Sequence, residues 1–213
     1  MEIENIRKDC VETLLDKKFL RMYDLHYAEG RHYFEASRRK EDELVMHMSD
    51  EEYLNMKPDA VTCYVVLRKA GSDPKLLLHY EYRYPVGRMV LSVPAGLMDP
   101  EDNDLKETAV REIFEETGIK VGSEDAVKVI NPLVFSTPGM TDESNALVYV
   151  DVKDADFDAL TSKGCEGSEC FGGFLLLDKE KAKEILNKGT DENNGFYPMF
   201  TWGALMYFIY EVK

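Results

Sequence analysis

VPAGLMDPEDNDLKETAVREIFEETGIKV, residues 93 to 121, is the stretch from which the fold is read. A loop containing Gly96 leads into residues 104 to 117, where Leu105, Ala109 and Ile113 recur at every fourth position. That spacing is the buried face of an amphipathic helix, and Gly118 supplies its C-terminal stop. Glu112, Glu115 and Glu116 stand at i, i+3 and i+4 of the same helix, so one side of about one turn carries three carboxylates. Like charges so placed repel by roughly a few tenths of a kcal/mol per pair, and a bound divalent cation reverses the sign. Hard oxygen ligands on a rigid helix suit Mg²⁺ or Mn²⁺, which share their coordination shell with substrate phosphate oxygens. Arg111 is placed to orient one of the carboxylates by a charge-assisted contact. The plainer reading of the same residues is a solvated acidic face supported by Glu107 and Arg111 one turn apart.

Working outward, Ala60 to Arg68, Lys75 to Tyr84 and Met89 to Val93 are rich in β-formers, with Gly71-Ser72-Asp73-Pro74 as a turn between the first two. On the other side, 127 to 135, 145 to 152 and 171 to 177 read as strands, 154 to 170 as a polar loop and 179 to 188 as a helix. The apolar stretch Thr201 to Val212 is read as a helix in preference to a strand, with Trp202 anchoring it to the core. Toward the N-terminus, residues 3 to 17 have helix-like spacing, and 19 to 39 alternate around Glu29-Gly30 as a hairpin does. Residues 40 to 58, ending at Pro58, form a loop, a short helix or a linker. The expected organisation is a helix-and-hairpin appendage over 1 to 58 and a main domain over 59 to 213, α/β in class with a predominantly β body.

The bulk properties narrow the chemistry. A chain of 213 residues buries a real core but rarely makes two full domains. Its 41 acidic against 26 basic residues, a formal charge of -15, argue against nucleic-acid backbone binding, which rests on clustered Lys and Arg. A small phosphorylated substrate remains compatible when metal and a few local Arg side chains offset the repulsion. Met1 to Cys10 is charged throughout, and no run approaches the roughly 18 apolar residues of a membrane span, so a cytoplasmic protein without a membrane partner is expected. Cys10, Cys63, Cys165 and Cys170 are too few and too scattered for a disulfide framework and read as free thiols.

Arg111-Glu112-Ile113-Phe114-Glu115-Glu116-Thr117-Gly118-Ile119, with Gly96 upstream, resembles the Nudix box: Gly, five residues, Glu, seven residues, Arg-Glu-apolar-any-Glu-Glu-any-Gly-apolar. The carboxylate half matches at each specified position. The loop half departs: fourteen residues separate Gly96 from Arg111 where the pattern has thirteen, and Asn103 stands where the first family Glu is expected. With one extra loop residue, Glu101 or Asp102 takes that place, or the role is absent. The resemblance implies an α/β/α sandwich with a mixed β-sheet and a Mg²⁺-dependent pyrophosphohydrolase.

Tyr82-Arg83-Tyr84-Pro85, Pro94-Ala95-Gly96-Leu97 and Ser136-Thr137-Pro138-Gly139-Met140-Thr141-Asp142-Glu143 look like the ADP-ribose pyrophosphatase branch of that family. That likeness implies a small N-terminal β appendage packed across a homodimer and cleavage of ADP-ribose to AMP and ribose 5-phosphate. Other nucleoside diphosphate sugars or dinucleotides, and a nucleotide sensor that does not cleave, are the alternatives. It further implies metal binding by Glu112, Glu115, Glu116 and the carbonyl of Ala95, with Gly96 and Arg83 toward the substrate. A loop glutamate would serve as general base; Glu166 and Glu169 are the candidates, Glu169 preferred because it lies immediately before the strand over 171 to 177. Tyr33 or Phe34 would stack on the adenine, with Arg38 or Arg39 beside it. No role is assigned to His79.

Overall fold

The computed structural model describes residues 6–99, 101–102, 104–162 and 170–213. It divides into two compact units, residues 1–59 with 133–145 and residues 60–132 with 146–213. The strands in chain order are β1 (Val11–Asp16), β2 (Arg21–Ala28), β3 (Arg31–Ser37), β4 (Ala60–Leu67), β5 (Lys75–Arg83), β6 (Arg88–Ser92), β7 (Ala95–Leu97), β8 (Ala126–Phe135), β9 (Ser144–Val152) and β10 (Phe171–Leu177). The α-helices are α1 (Asp50–Leu54), α2 (Leu105–Thr117), α3 (Lys179–Lys188) and α4 (Met199–Tyr210).

The larger unit is built on a mixed seven-stranded sheet in the order β10-β5-β4-β9-β8, with β6 added to β5 and β7 to β4. All eight residues of β4 are buried, which explains its unbroken run of apolar and small residues: both faces are covered. Val61, Cys63, Val65 and Leu67 pack with Ala109 and Ile113 of α2 and with Ala146, Val148 and Val150 of β9. Tyr64 and Val66 pack on the other face with Ala182 and Ile185 of α3 and Ala204, Leu205 and Phe208 of α4. Strand alternation thus produces two cores on either side of one sheet, the α/β/α sandwich. Trp202 is half-exposed and does not anchor α4; Thr201, Ala204, Leu205, Phe208 and Ile209 form the buried stripe, and position 202 lies off it.

The smaller unit carries the antiparallel sheet β1-β2-β3 over a modest core of Tyr23, Leu25 and Leu44. The hairpin of β2 and β3 turns at Glu29-Gly30, with Gly30 at φ 65°. Among the described residues the helix expected over 3 to 17 does not form: residues 8–10 make a 3-10 turn, and Val11–Asp16 pairs with β2 through a bulge between Thr13 and Leu15. Cross-strand pairing overrode the helical spacing there. Residues 40 to 58 hold two 3-10 turns and α1, whose Ser49 and Glu52 form a capping box.

Residues 133–145, assigned by the sequence reading to the main domain, fold within the smaller unit. Ala36 N–H donates to the Met140 carbonyl at 2.9 Å and the Ser37 hydroxyl to Asp142 Oδ1 at 2.7 Å. Arg39, only 12% exposed in its side chain, bridges Asp59 at 2.7 Å and Asp142 at 3.4 Å.

Candidate active site

Helix α2 begins at the N-cap Asp104, whose carboxylate accepts from Lys106 N–H, and ends at Gly118 in the left-handed region at φ 73°. Ala109 and Ile113 lock it onto β4, which fixes the azimuth of the neighbouring glutamates. Glu112 and Glu116 are 8% and 5% exposed, a costly position for two carboxylates unless charged or hydrogen-bonding partners are supplied. Strand β7 supplies the opposing wall: Ala95, Gly96 and Leu97 pair antiparallel with Thr62, Val61 and Ala60. The sequence reading saw only a break at Pro94-Ala95-Gly96.

Ala95 N–H donates to Glu116 Oε2 at 3.1 Å. Gly96 leaves no room for a side chain: a Cβ there would lie 1.9 Å from the Glu112 carboxylate carbon and 2.0 and 2.2 Å from its oxygens. The glutamate head therefore rests on the Gly96 backbone, and the conformational freedom of glycine is not the issue. Arg111 gathers the surrounding acids, with Nη1 2.8 Å from Glu112 and 3.1 Å from Glu115, and Nη2 3.2 Å from both Asp102 and the Leu97 carbonyl.

Of the two loop acids considered, Asp102 meets Arg111, while Glu101 is exposed. Asp102 also accepts from Asp99 N–H at 2.9 Å and the Thr108 hydroxyl at 3.0 Å. The Asp99 backbone bond, then Thr108 and Arg111, hold its carboxyl below the usual range.

Two further residues join the site that sequence reading did not use. His79, Glu81 and Arg83 occupy alternate positions of β5 and so share one face. Arg83, half-exposed, reaches Glu81 at 2.7 Å; the nearly buried His79 lies 3.9 Å from Glu81 and 3.9 Å from Glu116. Phe171 abuts the imidazole edge-on at a centroid distance of 4.6 Å. The i, i+2, i+4 spacing of three polar residues inside an apolar strand was the available signal. Behind the carboxylates, burial followed by the charges of Glu116 and Glu112 pushes the Cys63 thiol well up, so it stays protonated.

Other expected residues lie outside the described residues or belong to the smaller unit. Glu166, Glu169 and Cys165 lie outside the described residues. Tyr33 lines a cavity of about 450 Å³ in the smaller unit with Leu25, Tyr27, Phe135 and Met140, and donates its hydroxyl to the Gly139 carbonyl at 2.7 Å. Phe34, next along β3, alternates away from that cavity onto the face of Asp24, its cross-strand partner. Arg38 pairs with Glu143 at 2.9 Å, and Arg39 is engaged in the clamp described above.

Glu112 and Glu116 against the Ala95-Gly96 backbone, with Glu115 drawn in by Arg111, form a hard-oxygen donor set, and the contact of Glu112 with Gly96 shows that the cradle is shaped around a carboxylate. The sheet with α2 on one face, α3 and α4 on the other, and these acids defines a Nudix-type hydrolase. The chain matches the NUDIX domain over residues 56–187, more than half its length, and belongs to that family.

It is 35% identical over 97 residues to the ADP-ribose pyrophosphatase of Saccharomyces cerevisiae, covering 44% of this chain and 39% of that protein. With the ADP-sugar pyrophosphatase of Mus musculus it is 30% identical over 122 residues, covering 57% and 53%. The matched stretches span about half the length or less of the curated relatives. A crystal structure of an ADP compounds hydrolase superposes with a TM-score of 0.55 at 17% identity, covering 92% of this chain and 88% of that one, which supports the fold.

Proposed function

We propose that this Nudix hydrolase cleaves the diphosphate bond of ADP-ribose with Mg²⁺, giving AMP and ribose 5-phosphate: water adds to one phosphorus and the bridging oxygen leaves with the other. The observation that carries the reading is the pair of buried carboxylates, Glu112 and Glu116, set against Ala95-Gly96 with no space for a side chain at position 96. Similarity to proteins named ADP-ribose and ADP-sugar pyrophosphatase supports the choice of substrate.

Glu112, Glu115, Glu116 and the Ala95 carbonyl would hold the cation. Such an ion, when bound, polarises phosphoryl oxygens and lowers the pKa of water. The protein's own contributions are positional. Arg111 fixes Glu112 and Glu115 and balances their charge, and the apolar packing of α2 on β4 keeps the helical turn rigid. Arg83 at the rim offers a guanidinium that can turn from Glu81 to an anionic diphosphate. A homodimer and Glu169 as general base belong to the same reading.

The test is phosphate release by a coupled phosphatase after incubation with ADP-ribose and Mg²⁺, with and without EDTA, beside GDP-mannose and diadenosine polyphosphates. Highest kcat/KM on ADP-ribose, abolished by EDTA, is expected. Higher kcat/KM on either other substrate, or activity unaffected by EDTA, overturns the proposal.

A further inference from the structure

The small sheet carries a second set of metal-type donors, unrelated to the carboxylates of α2. Glu12 on β1 is the cross-strand partner of Asp24 on β2, and His26 on β2 is the partner of His32 on β3. Asp24 and His26 are two residues apart, so all four side chains leave the same face of the sheet. Like charges directly opposed weaken a strand pair, and here carboxylate faces carboxylate, while the His26 and His32 rings meet edge-on at a centroid distance of 4.6 Å. Placing a cation among them converts the carboxylate repulsion into ligation and gives the two imidazoles a common partner.

The geometry points to a binding site for one divalent transition-metal ion of the Zn²⁺ type, with Asp24, His26 and His32 as ligands and Glu12 as the fourth donor. A tetrahedral ion holding N and O donors at about 2.0–2.1 Å sets them about 3.3 Å from one another. Asp24 Oδ2 lies 2.8 Å from His32 Nδ1, a hydrogen bond that a bound ion would replace, and 3.4 Å from His26 Nε2, and Glu12 Oε2 lies 3.8 Å from His26 Nε2. The donors are already gathered on the right scale, and small side-chain rotations open the space between them.

Asp24 is buried at 7% exposure, a fixed anionic ligand at the base, whereas the two imidazoles are half-exposed and able to adjust. A cavity of about 420 Å³ reached past His26 and His32 gives an ion access from solvent. Two carboxylates offset the charge of a dication, and two imidazole nitrogens select against Mg²⁺ and Ca²⁺, which prefer oxygen. One ion would join β1, β2 and β3 through side chains, bracing a sheet whose own core is small.

The test uses the full chain, stripped with EDTA, dialysed, and titrated calorimetrically with Zn²⁺ in the presence of excess Mg²⁺. One Zn²⁺ per chain is expected, with affinity falling more than about tenfold in His26→Ala and in His32→Ala while Mg²⁺-dependent hydrolysis is unchanged. Co²⁺ added to the unsubstituted chain should give visible ligand-field bands that Zn²⁺ removes, a readout that needs no variant to fold. Equal Zn²⁺ affinity in the wild type and both histidine variants, loss of binding in Glu116→Gln with retention in His32→Ala, or the absence of Co²⁺ bands would each overturn the inference and leave a surface hydrogen-bond network only.

Discussion

Replacing Gly96 with alanine separates the geometry of the site from the stability of the fold. The new methyl carbon would lie 1.9 Å from the Glu112 carboxylate carbon, and ordinary contact requires about 3.5 Å, so the head group must move by roughly 1.5 Å. The obstructing atoms are the end of a flexible side chain, and Gly96 is not among the glycines with positive φ. The backbone therefore tolerates alanine, and a stability change within about 1 kcal/mol is expected, with the loss of glycine's unfolded-state freedom favouring the variant. The Glu112 carboxylate, however, leaves its 2.8 Å contact with Arg111. A misplacement of about 1 Å costs on the order of 10²-fold in rate, so kcat should fall by that factor or more while the melting temperature holds. Steady-state hydrolysis of ADP-ribose with Mg²⁺, together with a thermal melt, reads both quantities. Adding Glu112→Asp, one methylene shorter, should recover part of the rate by relieving the collision. Wild-type kcat in Gly96→Ala, or lost activity explained by unfolding, would refute the reasoning.

Glu116→Gln should lower kcat by about a thousandfold, equivalent to about 4 kcal/mol of transition-state stabilisation, with the fold retained by circular dichroism; an unchanged kcat would remove Glu116 from the catalytic set. Arg83→Ala should raise KM roughly tenfold to a hundredfold with a smaller change in kcat, as loss of a charge-assisted contact to substrate predicts; a fall in kcat alone would place Arg83 among transition-state contacts instead. Glu35 has its carboxyl pushed up to about 7, by burial first and by the Asp142 charge second, with Arg39 opposing. Because the folded pKa exceeds the unfolded value of 4.5, the folded state holds the extra proton, and stability falls as pH rises from about 4.5 to 7, by up to about 3 kcal/mol. Urea unfolding of Glu35→Gln across pH 4 to 8 should lose that slope; an identical slope in both proteins would assign it to another group.

The main domain was legible because its signals are local. The unbroken run of apolar and small residues in β4, the four-residue spacing of Leu105, Ala109 and Ile113, and the Gly118 stop each follow from the short-range pattern of a single element. Arg111 and the three glutamates were legible for the same reason, being fixed by helical periodicity. What escaped was set by distant partners. β1 became a strand because β2 was there to pair with it, and three-residue β7 exists through its ladder with β4. His79 and Glu81 became part of the site because β5 runs beside Glu116; the spacing within β5 sets the two on one face, and only the tertiary fold sets that face against the helix. Trp202 was misread because size suggested an anchor, whereas helical phase decides which residue is buried.

The clamp of Arg39 and Ser37 on Asp142 spans 103 and 105 residues of chain. During synthesis at about 5–20 residues per second, the N-terminal strands emerge roughly 5–20 s before their last partners do. The smaller unit thus begins folding first and finishes late, exposing Arg39 and the lining of its apolar cavity to the nascent-chain environment until residues 133–145 leave the ribosome.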